Sequence, residues 1–150
     1  MASALMTGLR HVLIARHAHA EWPDWRGRDF DRPLTPRGEE DAARAAAAIR
    51  AAGHRPELVL VSPALRTRQT AGIMARGLGL ADDALRLVDA LYNASPAVLE
   101  SELRQAALGV DGLVMLVAHN PGVSYLARAL AGDPAAPPFS PADWRLLPLR

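Results

Sequence analysis

The 150-residue chain predicts an α/β fold: a parallel central sheet covered by helices. Three observations lead there. Short apolar runs of strand length alternate with longer helical stretches, the order that gives parallel strands joined by helical crossovers. An acceptor side chain followed by proline recurs at Thr35-Pro36, Ser62-Pro63, Ser95-Pro96 and Asn120-Pro121, with Ser140-Pro141 as a candidate fifth. Each pair puts an oxygen at a helix N-cap and a proline at the first helical position. Several strands also run directly into charged or imidazole-bearing residues, as strands do at the ligand-facing edge of an open sheet.

The first strand is His11-Val12-Leu13-Ile14-Ala15, an apolar, β-branched run that gives way to Arg16-His17-Ala18-His19. From Ala18 to Leu34 the chain shows no period and holds Trp22, Pro23, Trp25, Gly27 and Pro33 among charges. This length exceeds the usual loop, so the segment is read as an ordered flap beside the strand end. Trp22 and Trp25 are expected to pin it to the body, the alternative being a surface for a partner. A helix from Pro36 to about Ala52 is alanine-rich, carries Glu39, Glu40 and Asp41 near its positive end, and stops at Gly53. Glu57 to Val61 is a second strand, followed by a helix from Ala64 to Gly77. A third strand covers about Leu85 to Leu91 and precedes the helix opened by Ser95. The fourth, Leu113 to Ala118, leads through His119-Asn120 into a helix reaching about Ala131. Gly132 to Arg150 is rich in proline and has no readable element.

Composition narrows the function classes. The length suits one core, so residues 1–150 are read as a single domain with an atypical proline-rich tail at about 132–150. A net charge of +1 points to neither nucleic acid nor a membrane surface as partner. All 17 basic residues are arginine, which excludes Schiff-base chemistry and a lysine base. Without cysteine there is no disulfide, thiolate nucleophile or thiolate-bound zinc. Met1 to Leu9 lacks the basic leader and apolar region of a signal peptide, and no run approaches the ~18 apolar residues of a membrane span. The expectation is a cytoplasmic monomer without a cofactor.

Three strand ends carry the chemistry: Arg16-His17 after the first, Arg66 one turn into the helix after the second, and His119-Asn120 after the fourth. Parallel strands bring their carboxyl ends to one edge, and the helices opening at Ser62 and Asn120 aim positive N-termini at it. Two arginines, two imidazoles and two helix N-termini suit a dianion, because a guanidinium donates two parallel hydrogen bonds to phosphate oxygens. In this setting His17 is the candidate nucleophile, attacking phosphorus to form a phosphohistidine that water hydrolyses. His119 would stabilise charge on the phosphoryl oxygens, Arg16 and Arg66 would clamp them, and Asn120 would join in binding substrate. The plainer alternative pairs Arg16 with a carboxylate and makes His17 a half-buried polar end.

Four blocks, in order, resemble the histidine phosphatase superfamily, also called phosphoglycerate-mutase-like. They are Ile14-Ala15-Arg16-His17-Ala18, Pro33-Leu34-Thr35-Pro36-Arg37-Gly38, Ser62-Pro63-Ala64-Leu65-Arg66-Thr67-Arg68-Gln69-Thr70-Ala71 and Val117-Ala118-His119-Asn120-Pro121-Gly122. The short chain is most similar to the small phosphohistidine phosphatase branch. The resemblance implies a three-layer α/β/α sandwich with a mostly parallel sheet, a His17 nucleophile, Arg16, Arg66 and His119 around the phosphate, and no metal. Ala18 stands where much of the superfamily has glycine, and His19 has no assigned task. Phe139 to Arg150 does not look like the closing strand of such a sheet.

No carboxylate is obvious as a general acid. Asp89 is the nearest candidate, while Glu21 and Asp31 in the flap read as surface charges. An alkoxide leaves poorly without a proton, whereas imidazole, with a conjugate-acid pKa of about 6.5, leaves readily. The missing acid and the lack of a lid insertion therefore favour phosphohistidine on a protein. A small phosphate ester is the alternative substrate, and a non-catalytic phosphate-binding module the alternative function. A metal hydrolase using His17, His19, His119 and Asp31 is disfavoured by the flanking arginines.

Overall fold

A strand covered on both faces must be apolar throughout, because successive side chains point to opposite sides of the sheet. The central runs have that character and become strands in the computed structural model, which describes residues 10–22 and 24–150. The Met1 to Leu9 segment, read above as leader-free, and Pro23 of the flap lie outside the described residues. The strands are β1 (Arg10–Arg16), β2 (Leu58–Val61), β3 (Leu85–Leu87), β4 (Val114–Ala118) and β5 (Trp144–Leu149). The helices are α1 (Pro36–Ala51), α2 (Leu65–Leu78), α3 (Pro96–Gly109) and α4 (Gly122–Ala131).

The sheet order is β3-β2-β4-β1-β5, with β5 antiparallel to β1 and every other pairing parallel. Alternation along the strands divides the core. Val12, Ile14, Leu58, Leu60, Val114 and Leu116 face Leu99 and Leu103 of α3 and Val123 and Leu126 of α4. Leu13, Ala15, Val59, Val61, Met115 and Val117 face Ala42, Ala46 and Ile49 of α1 and Ala71, Met74 and Leu78 of α2. Each side of the sheet thus carries two helices, which gives the three layers. Each large apolar side chain buried there contributes about 1.5–3 kcal/mol. Among the described residues no helix is long and apolar enough to cross a membrane.

Two of the cap–proline pairs act as expected. Thr35 accepts from the Gly38 N–H and Ser95 from the Val98 N–H. The others do not cap helices. α2 opens at Leu65 with no side-chain cap, leaving Ser62 free for another partner, and α4 opens at Gly122 with Asn120 outside it. Ser140-Pro141 forms a turn in which the Ser140 N–H donates to Asp143. The third strand is shorter than expected: after Leu87 the chain enters a 3-10 turn at Asp89–Leu91.

The tail corrects one expectation: Phe139 to Arg150, which in sequence does not look like a closing strand, contains it. Trp144–Leu149 is the closing strand, with Leu147 and Leu149 buried and Pro148 opposite His11. Proline obscured it in the sequence, yet β5 is an edge strand, where a missing N–H costs nothing on the outer side.

Candidate active site

The pairing register sets the site. Arg16 lies beside Ala118 and Val61 beside Val117, so the chain leaves β1, β2 and β4 at one edge. There the His17 N–H donates to the Ala118 carbonyl at 3.1 Å and the Ser62 N–H to the Val117 carbonyl at 3.2 Å. The segment entering β5 adds two bonds: the Arg16 N–H donates to Asp143 at 3.0 Å, and the Ala142 N–H donates to His17 at 3.1 Å. His17 therefore stands on backbone fixed from both neighbouring strands.

His17 is 7% exposed, and its Nδ1 lies 2.8 Å from the Ala18 carbonyl. A carbonyl only accepts, so Nδ1 carries the proton and Nε2 keeps its lone pair. Burial, reinforced by the charges of Arg66, Arg16 and Arg32, lowers its pKa to about 4, so the ring is neutral at physiological pH. The His119 ring centroid is 5.4 Å away, and its Nε2 is 2.7 Å from the buried Ser62 hydroxyl. Burial, followed by Arg66 and His17, lowers the His119 pKa to about 3.

Arg16 and Arg66 flank this pair. Arg16 donates from Nη1 to the Phe139 carbonyl at 3.0 Å, and burial and the neighbouring guanidinium groups of Arg32 and Arg66 lower its pKa against the pull of Asp143. Arg66, 3% exposed, pairs with the Asp29 carboxylate at 3.0 Å and donates to the Asp29 carbonyl at 2.8 Å. Among the described residues, the buried side-chain nitrogens without a hydrogen-bond partner include Arg16 Nε, Arg66 Nε and His119 Nδ1. Buried polar atoms are normally satisfied, so two guanidinium donors and a ring nitrogen left open at one site suit an oxyanion.

Asn120 and His19 sit farther out in function. The Asn120 amide donates to the Phe139 carbonyl that also receives Arg16, and its oxygen accepts from Ser124 at 2.6 Å. It props the wall behind Arg16 and, like Arg66 and His119, is not among the residues lining the cavity with Arg16 and His17. His19 lies at the cavity rim, bonded to the Thr35 hydroxyl at 2.8 Å. Its carbonyl lies only 2.0 Å from where a Cβ on Gly38 would stand, so that position of the Leu34-to-Gly38 block accepts no side chain.

Sequence reasoning missed Ser62, Asp29, Arg32 and Tyr92. Asp29 and Arg32 line the cavity of about 420 Å³ that holds Arg16 and His17, and Arg32 lies over the exposed Trp22 ring. Asp29 opens a 3-10 turn in the flap and accepts from Arg66, Arg32 and the Tyr92 hydroxyl. Burial alone would raise the Asp29 pKa, but the bonds from Tyr92 and Arg32 and the charge of Arg66 outweigh it and hold the group at about 2. Only the alternating charge of Arg28-Asp29-Phe30-Asp31-Arg32 hinted at an ion-paired turn. Asp89, the candidate acid, is exposed and lies outside this cavity. Neither flap tryptophan is seen to pin the flap to the body: the Trp25 ring N–H donates to the Arg28 carbonyl at 2.8 Å, within the flap itself, and Trp22 is 73% exposed.

Comparison with known proteins gives a consistent picture. The family model of the histidine phosphatase superfamily (branch 1) matches residues 12–106. An uncharacterised chloroplastic protein of Arabidopsis thaliana is 32% identical over 132 residues, 82% of this chain and 60% of that protein. The chain thus spans about three-fifths of that relative's length. Among solved structures, a protein of Agrobacterium tumefaciens assigned as the phosphohistidine phosphatase SixA is similar with a TM-score of 0.79 and 30% identity, over 91% of this chain and 89% of that one. The protein histidine phosphatase SixA complexed with tungstate superposes with a TM-score of 0.81 and 27% identity, over 91% and 86% of the two chains.

Proposed function

The chain belongs to the histidine phosphatase superfamily, and from that premise we propose that it removes phosphate from phosphohistidine carried on a protein, by way of a phosphohistidine intermediate on His17. The phosphoryl group enters between the two imidazoles. Arg16, Arg66 and Arg32 take its oxygens, and His119 donates from Nδ1 while Ser62 donates to Nε2 and fixes that tautomer. The Nε2 lone pair of His17 attacks phosphorus in line with the leaving group. Negative charge on the equatorial oxygens meets guanidinium groups already gathered at the site. Water then attacks the phosphoryl group on His17, the P–N bond breaks, and dihydrogen phosphate departs from neutral His17. Asn120 acts at one remove, by holding the carbonyl that orients Arg16.

The substrate reading rests on the cavity's carboxylate. Asp29 is the acidic side chain lining it among the described residues, and with a pKa of about 2 it has no proton to give at neutral pH. An alkoxide leaving group would depart unprotonated, whereas imidazole leaves without that help. The 30% identity to SixA supports the same choice. Metal independence is part of the proposal: guanidinium groups supply the positive charge, and no three His, Asp or Glu side chains cluster as a metal site among the described residues.

The test compares kcat/KM for a phosphohistidine-bearing protein with that for glycerol phosphate, both in a strong chelator. Glycerol phosphate is expected to react at least about 100-fold more slowly, the contribution of a missing general acid. Comparable turnover of the two, or loss of activity to the chelator, would overturn the reading.

A further inference from the structure

Beside the phosphate cavity lies a second recess, of about 460 Å³, lined by Arg28, Asp29, Phe30 and Tyr92. Asp29 is the wall the two share. The Tyr92 ring stands edge-on to His119 at 5.7 Å and to Phe30 at 5.2 Å, so the recess begins against the second imidazole of the site. Its surfaces are two aromatic rings and a carboxylate. That set matches a flat cationic ring that carries an N–H. Arg28 is the one cation on the wall, and its charge is met by Asp31 at 3.1 Å.

Building on the phosphohistidine reading, we propose that this recess receives the departing imidazole of the substrate and that the Asp29 carboxylate accepts the hydrogen bond of its ring N–H. Asp29 is thereby the residue that selects a phosphoramidate over a phosphate ester. In the transfer, the His17 Nε2–P bond forms as the P–N bond to the substrate ring breaks. The electron pair of the broken bond goes to the departing nitrogen. The substrate ring is protonated on its other nitrogen beforehand, keeps that proton throughout, and leaves as neutral imidazole. A carboxylate facing that N–H stabilises the protonated ring, the form whose departure needs no acid.

The present partners of Asp29 are compatible with this role. One oxygen accepts from Arg66 and Tyr92, and the other accepts twice from Arg32, from Nη2 at 3.1 Å and from Nε at 3.4 Å. A carboxylate accepts about four hydrogen bonds, so a place for the ring N–H opens as the guanidinium groups of Arg32 and Arg66 turn to the phosphoryl oxygens. Tyr92 meanwhile keeps the carboxylate in position. The low pKa of Asp29 keeps it ionised and suits it to accept.

The readout is the ratio of kcat/KM for phosphoimidazole to that for 4-nitrophenyl phosphate, whose leaving group carries no N–H. In Asp29→Asn the ratio is expected to fall at least about tenfold, the fold-change of one charge-assisted hydrogen bond. Tyr92→Phe, which frees the carboxylate from its anchor, is expected to lower the ratio in the same direction by a smaller factor, and it stands as the test if the asparagine variant does not fold. A ratio unchanged in both variants overturns the proposal and leaves Asp29 as no more than a counter-ion for Arg66. Wild-type protein that hydrolyses 4-nitrophenyl phosphate but not phosphoimidazole fails the phosphohistidine reading itself, and this proposal with it.

Discussion

Replacing Ser62 by alanine removes one oxygen from the core of the site. That hydroxyl is fully buried and bonded to His119 Nε2 at 2.7 Å, so the variant leaves a buried ring nitrogen without a partner. The stability cost is about 1–3 kcal/mol. The catalytic cost arises separately. In the proposed mechanism Ser62 donates to Nε2, so the proton resides on Nδ1, the atom otherwise without a partner, and faces the phosphoryl oxygens. Without the hydroxyl the ring divides between tautomers, and only one can donate there. Loss of a whole oxyanion donor costs roughly 100- to 1,000-fold in kcat, so loss of its orientation alone should cost about 10- to 100-fold. Steady-state kinetics with 4-nitrophenyl phosphate measure this, with urea denaturation run in parallel to separate folding from chemistry, and His119→Ala sets the ceiling. A Ser62→Ala protein within about twofold of wild type, beside a His119→Ala protein reduced about 100-fold or more, would refute the tautomer-fixing role.

Other outcomes follow from the same geometry. Both site histidines titrate below the ordinary value of 6.5, at about 4 and about 3, so between those values and 6.5 the unfolded chain binds protons that the folded chain does not. Stability measured in urea is therefore full above about pH 6.5 and declines as pH falls toward 4; the span from 6.5 to about 4 for His17 is on the order of 3 kcal/mol, and His17→Ala should flatten the slope. The acid limb of kcat/KM should fall near pH 4 instead of 6.5, since His17, the proposed nucleophile, stays neutral down to there. Gly38→Ala puts a methyl 2.0 Å from the His19 carbonyl and is expected to cost at least about 3 kcal/mol in thermal or urea unfolding. Gln69→Ala strips the Leu34 N–H of its acceptor at 2.8 Å and should cost about 1–3 kcal/mol while loosening the flap, seen as faster amide exchange there.

The parallel sheet was legible because residues 12–15 of β1 and the whole of β2 and β4 are buried on both faces and so carry no polar residue to interrupt the run. Their chemistry-bearing ends were legible for the same reason, since Arg16, His17 and His119 follow apolar stretches without a spacer. Ser62 was misread because serine before proline is also a helix cap, whereas in the fold that helix, α2, opens three residues later at Leu65. Asp29 could not be told from Asp24 or Asp31, because an aperiodic flap gives no rule for which acid turns inward. β5 was hidden by Pro148, whose tolerance depends on an edge position that local sequence does not declare.

The central claim is that phosphorus bonds to His17 during turnover. Rapid quench of the enzyme with a ³²P-labelled phosphohistidine protein, followed by separation in base, measures it directly. The account predicts acid-labile, base-stable label approaching one equivalent per chain and located on His17, absent from His17→Ala. Full turnover with no label on the chain, or label that survives His17→Ala, would contradict it.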